Sequence, residues 1–129
     1  MFRLFTATSL LTFTALAADW PEWRGATRND HSPDKDLLDS WPTEGPKRIW
    51  LNQNVGLGYS GFSVVGDRLF TMGLRDDEEF ILCLDATTGK ELWATSAGAR
   101  YTNKWGGGPR GTPTVDGDLL YAMGGQGTL

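Results

Sequence analysis

Few residues in this sequence have the chemistry of a reaction centre. It contains one histidine, His31, and one cysteine, Cys83. With its histidine in the polar run "NDHSP", the chain by itself supplies no cluster of metal-ligand spacing and no catalytic triad. His31 reads as a solvated loop residue. Cys83 lies in the apolar run "FILCL" with nothing basic beside it, the setting of a small buried hydrophobe rather than of an activated thiolate. The acid run "RDDEE" (75–79) offers hard oxygen ligands, but not at the spacing of a calcium loop. It reads as a solvated hairpin tip whose charge discourages edge pairing. "GGGPRG" (106–111) lacks the lysine and the following helix of a phosphate-binding loop. No metal site is expected.

Two polar stretches remain. In "DATTGK" (85–90), Asp85 and the threonines are the residue types that bond their own turn backbone, so the stretch is expected to hold structure rather than bind a ligand. "YTNKWGGGPRGTP" (101–113) is the better candidate for a ligand surface. Trp105 offers a stacking plane, Arg110 a planar fork for carboxylate or phosphate, and the glycines exposed backbone N–H groups. A second reading stays open, in which Trp105 packs on neighbouring structure and Arg110 pairs with an aspartate.

These residues must be positioned by the rest of the chain. Lys and Arg number 12 against 16 Asp and Glu, a net charge of −4, which argues against a nucleic-acid partner. The first eighteen residues, "MFRLFTATSLLTFTALAA", have Arg3 ahead of an apolar core and small residues at the end. They read as a cleaved export signal, placing the protein in the periplasm or outside the cell. The core falls short of the ~20 apolar residues that span a bilayer, and no later segment is long enough. A lone cysteine allows no internal disulfide.

Residues 19–46 mix tryptophan, proline, glycine and charge without a sustained period, and read as an irregular lead-in. From Lys47 onward, short runs of β-branched and aromatic residues alternate with glycine and aspartate, the pattern of successive antiparallel strands. Strands are expected at 47–52, 61–65, 68–74, 79–85, 91–96, 112–115 and 119–124, with turns near Gly66, Asp77 and Thr87. "GFSVVGDRLFTMG" (61–73) lines up on "GTPTVDGDLLYAMG" (111–124) at an offset of 50 or 51 residues, and "GPKRIW" lines up on "TGKELW" at an offset of 43. Echoes at such periods suggest four-stranded units repeated around a ring.

The stretch "CLDATTGKELW" resembles the repeat of quinoprotein-dehydrogenase-like β-propellers, A-x-D-x-x-T-G-K-x-x-W. Cys83 stands in place of the alanine, while Asp85, Thr88, Gly89, Lys90 and Trp93 match. The lead-in "DWPEWRG" and the loop "WGGGPRGTPTVDGD" are similar to those of exported bacterial members, so the resemblance extends from about Asp19 to the end. It implies that a tryptophan of one blade, Trp50 or Trp93 here, packs on the glycine-containing turn of its neighbour while its indole N–H finds a backbone carbonyl. It also implies an all-β propeller fragment. On this view 47–52 is an outer strand, 61–96 a first full blade and 112–129 part of a second, since a ring needs about four blades or more. Links such as 101–113 would then lie on one face near the central channel, with Tyr59 reaching the same face.

Two functions follow from the resemblance. The favoured one is a non-catalytic exported platform that recognises a peptide, glycan or protein. The alternative is an alcohol or sugar dehydrogenase holding pyrroloquinoline quinone and calcium, with residues spread over many blades.

Overall fold

The computed structural model describes residues 17–129, so the expected export signal lies almost wholly outside the described residues. Eight strands follow the lead-in: β1 Ser63–Val65, β2 Arg68–Arg75, β3 Glu78–Asp85, β4 Glu91–Ala99, β5 Thr102–Asn103, β6 Gly106–Gly107, β7 Thr114–Asp116 and β8 Leu119–Tyr121. The described residues contain no helix, and none long and apolar enough to cross a membrane. The protein is all-β.

β1 to β4 form one antiparallel sheet in sequential order, while β5–β6 and β7–β8 are separate two-stranded pairs. The reversals fall where the sequence places them: Gly66-Asp67 joins β1 to β2, Asp76-Asp77 joins β2 to β3, and residues 86–90 join β3 to β4. Asp76 takes a positive φ of 52°, a backbone state that a short polar side chain tolerates better than most. The β1–β2 hairpin is repeated by β7–β8, with Gly66 and Gly117 at the same φ of 56°.

β4 runs three residues beyond the expected end at Ser96. Two register shifts against β3 leave Leu92 and Ala97 as extra residues. Such bulges bend a strand and increase its local twist. Side chains alternate between the sheet's two faces. One face carries Met72 and Ala97, which form a buried cluster with Ala122 just after β8, with Ile81 packed against it. This places the second hairpin against the first sheet.

The lead-in is anchored on the β1 edge of that sheet. Trp20 and Val64 exchange both backbone bonds, at 2.7 and 2.8 Å, and Val115 N–H donates to Pro21 O at 2.8 Å. Gly66 N–H donates to Asp19 Oδ1 at 2.8 Å. Residues 19–21 therefore run along the free edge of β1 and touch β7 as well. Beyond β1, Leu57 takes the same edge of β2 through two bonds with Leu74.

The expected strand at 47–52 does not form. No ladder pairs its backbone; Trp50 and Asn52 instead hold it to the β3–β4 turn through their side chains. Apolar alternation is a local property, whereas a strand needs a partner edge, and this segment pairs with none among the described residues.

Candidate functional site

The β3–β4 turn is closed by its own polar groups. Asp85 Oδ1 accepts from Thr88 N–H at 2.7 Å, Thr88 Oγ1 at 2.8 Å and Thr87 N–H at 3.0 Å. Gly89 N–H donates to Asp85 O at 2.8 Å. The Thr88 hydroxyl, followed by the Thr88 amide, holds the Asp85 carboxyl below the usual carboxylate range. All these bonds stay inside the turn, so its chemistry is structural.

Trp50 covers this turn. Its indole N–H donates to Ala86 O at 3.0 Å, and Asn52 Nδ2 donates to Gly89 O at 2.8 Å. The ring lies so close to Gly89 that a β-carbon there would stand 2.4 Å from it, and Gly89 has a φ of 70°. Only glycine meets both demands without strain. Trp93 sits on no turn among the described residues in the way Trp50 does. It is 42% exposed, with its ring 6.0 Å from that of Phe70, in an open cleft that it shares with Cys83 and Leu119. Cys83 itself is buried, and burial pushes its thiol pKa up.

The ligand candidates Tyr59, Trp105 and Arg110 come together. The Arg110 guanidinium lies between two phenol rings, 5.2 Å from the centroid of Tyr59 and 4.9 Å from that of Tyr101. It donates to Gly108 O at 3.0 Å, Asn103 Oδ1 at 3.0 Å and Gly106 O at 3.1 Å. Among the described residues Arg110 pairs with no aspartate, and most of its fork closes the 103–110 loop, leaving two of its five N–H groups unbonded there. Tyr59 ties the same loop to the first unit, its hydroxyl donating to Trp105 O and its amide to Pro109 O at 2.8 Å. Trp105 stands at the tip of the β5–β6 hairpin, 71% exposed, with Lys104 Nζ 4.9 Å from its ring centroid. It packs on no neighbouring element.

An open cleft of about 530 Å³ lies between these units, lined by Trp23, Tyr59, Ser60, Arg110 and Thr112. Trp23 was not among the sequence candidates. It arrives because the lead-in follows the edge of β1, a path that no local pattern announces.

Glu79 corrects the reading of "RDDEE" as a solvated tip. The tip is Asp76-Asp77 alone. Glu79 is fully buried, accepting from Gly125 N–H at 2.6 Å and Tyr101 N–H at 3.2 Å, and so ties β3 to both following segments. Arg75 is likewise engaged, in an ion pair with Glu91. Counting back by twos from Cys83 through Ile81 puts Glu79 on their face of β3, although Leu82 and Leu84 on the other face are buried as well. His31 is exposed, as expected. Among the described residues no group of three or more His, Cys, Asp or Glu side chains could hold a metal ion.

No family model, curated protein or solved structure matches the chain.

Proposed function

We propose that the two hairpin-bearing units are successive blades of a quinoprotein-dehydrogenase-like β-propeller, and that the exported protein is a non-catalytic binding or assembly platform. The blade assignment is supported by the seating of Trp50 on the Asp85–Lys90 turn and by the recurrence of β1–β2 as β7–β8.

The observation that carries the platform over the dehydrogenase is the path of residues 19–21. In a ring, the free edges of β1 and β7 would face the central channel. Those edges carry Trp20 and Pro21, so a planar quinone lying against them would have to displace a segment held by backbone hydrogen bonds. The loop face, by contrast, is ordered by Arg110 and presents aromatic planes to solvent, the arrangement of a recognition surface.

The test is to add pyrroloquinoline quinone and calcium to the whole protein and measure dye-linked alcohol oxidation. No turnover is expected. Cofactor-dependent turnover would overturn the platform reading.

A further inference from the structure

Trp23, Tyr59 and Trp105 form an exposed aromatic series whose members are tied together. Tyr59 shares its cleft with Trp23 and donates its hydroxyl to Trp105 O. The two indoles are 67% and 71% exposed. Each ring has a cation over it: Arg24 at 5.5 Å from Trp23, Arg110 at 5.2 Å from Tyr59 and Lys104 at 4.9 Å from Trp105. Arg24 shares its charge with Asp30. Lys104 and Arg110 have no carboxylate partner among the described residues. On a chain of net charge −4, this is a local surface of flat apolar planes and uncompensated positive charge.

We infer that this surface binds an acidic polysaccharide of the uronate class, its sugar rings stacking on Trp23 and Trp105 and its carboxylates meeting Lys104 and the unbonded N–H groups of Arg110. The inference rests on the platform reading and names its ligand. The openness of the cleft favours a polymer, because a small molecule needs enclosure over most of its surface, whereas a chain can touch several separated planes. The planes favour sugar, whose C–H faces match an exposed indole that is apolar in body and polar at its N–H tip. The cations favour an acid group carried on the sugar ring itself. An extended peptide would gain most by adding a strand to an open sheet edge, and the β1 edge leading to this cleft is already paired with Trp20.

The experiment is affinity electrophoresis of the whole protein in gels containing polygalacturonate, amylose or polyglutamate. Retardation is expected in polygalacturonate, with less in amylose and none in polyglutamate. Trp23→Ala and Trp105→Ala should each weaken uronate binding about tenfold through lost stacking area. Lys104→Gln should weaken binding to polygalacturonate without changing that to amylose. Because both indoles are largely exposed, the tryptophan variants should melt like the parent. Equal retardation by polyglutamate would reduce the site to general charge attraction and overturn the inference. So would stronger binding to amylose, binding to neither polysaccharide, or tryptophan variants that bind like the parent. A protein that binds uronate yet oxidises alcohols with the quinone keeps this site and loses the platform reading; one that does neither keeps the platform and loses the site.

Discussion

The indole of Trp50 rests directly on the α-carbon of Gly89, its N–H donating to Ala86 O three residues earlier in the same turn. One side chain thereby fixes where the segment before β1 meets the β3–β4 turn. Gly89→Ala must accept a left-handed backbone and also push the indole away, so a loss of about 2 kcal/mol or more is expected. Trp50→Ala, at a half-buried site, should cost about the same, below the ~3–5 kcal/mol of a fully buried aromatic. If the units belong to a ring as proposed, Trp93 covers a following turn as Trp50 covers this one. Trp50→Ala and Trp93→Ala should then lower the melting temperature of the whole protein alike. A Trp93→Ala variant that melts like the parent would count against the ring.

Arg110 gives a second expectation, which differs from that of a free ligand-binding fork. Its guanidinium bonds three loop acceptors and lies between Tyr59 and Tyr101. Arg110→Ala should loosen residues 103–110 and lower stability by about 1.5–3 kcal/mol, the range for hydrogen bonds to a charged group. Arg110→Lys should restore little, because an ammonium cannot reproduce the planar fork or its stacking. Limited proteolysis within the loop, read beside the melting temperature, checks both. Unchanged cleavage in Arg110→Ala would remove the loop-closing role.

What the sequence reveals, and what it hides, follows the range of the interactions. The turns at Gly66, Asp77 and Thr87 were legible because each is specified by residues adjacent in the chain. The pairing of β7–β8 was legible because it repeats β1–β2. The segment at 47–52 shows a strand's alternation yet finds no partner among the described residues, because alternation is local while pairing is not. Glu79 was hidden by its neighbours: in a run of charge, composition pointed to solvent, and β3 is buried on both faces, so its period alone did not single Glu79 out. Trp23 joins the candidate site only through the cleft it shares with residues far along the chain.

Glu79 therefore supports a sharper expectation than a tip residue would. Its two oxygens accept from separate backbone amides, those of Tyr101 and Gly125. Glu79→Gln keeps one acceptor oxygen and turns the other position into a donor facing an amide donor. Glu79→Ala leaves both amides unpaired. A loss of about 1–3 kcal/mol is expected for each amide left buried and unsatisfied, so Glu79→Ala should destabilise more than Glu79→Gln. Hydrogen exchange should quicken first at Tyr101 and Gly125. Protection that persists at both amides in Glu79→Ala would show that other contacts hold these segments.

The acid limb of the stability curve should report the β3–β4 turn and the ion pair beside it. The Thr88 hydroxyl and amide lower the Asp85 pKa from its ordinary 3.8, and the Arg75 hydrogen bond lowers that of Glu91 from 4.5. A carboxyl whose folded pKa is depressed stabilises the fold above its unfolded pKa, and that contribution is lost as pH falls through the folded value. Stability should therefore be level with respect to these two groups above 4.5, begin to fall as Glu91 enters its range, and fall further below 3.8 as Asp85 is protonated. Asp85→Asn removes one of the two titrations. It should melt lower than the parent at neutral pH, because the amide is a weaker acceptor for the three turn donors, and the two curves should converge in acid. Thr88→Ala should shift the Asp85 titration upward, since the hydroxyl bond that does most to lower it is gone. Melting curves recorded from neutral pH down to about pH 2, well below the unperturbed Asp and Glu values, supply the check. Parallel curves for the parent and Asp85→Asn across that range would mean that the carboxylate does not hold the turn.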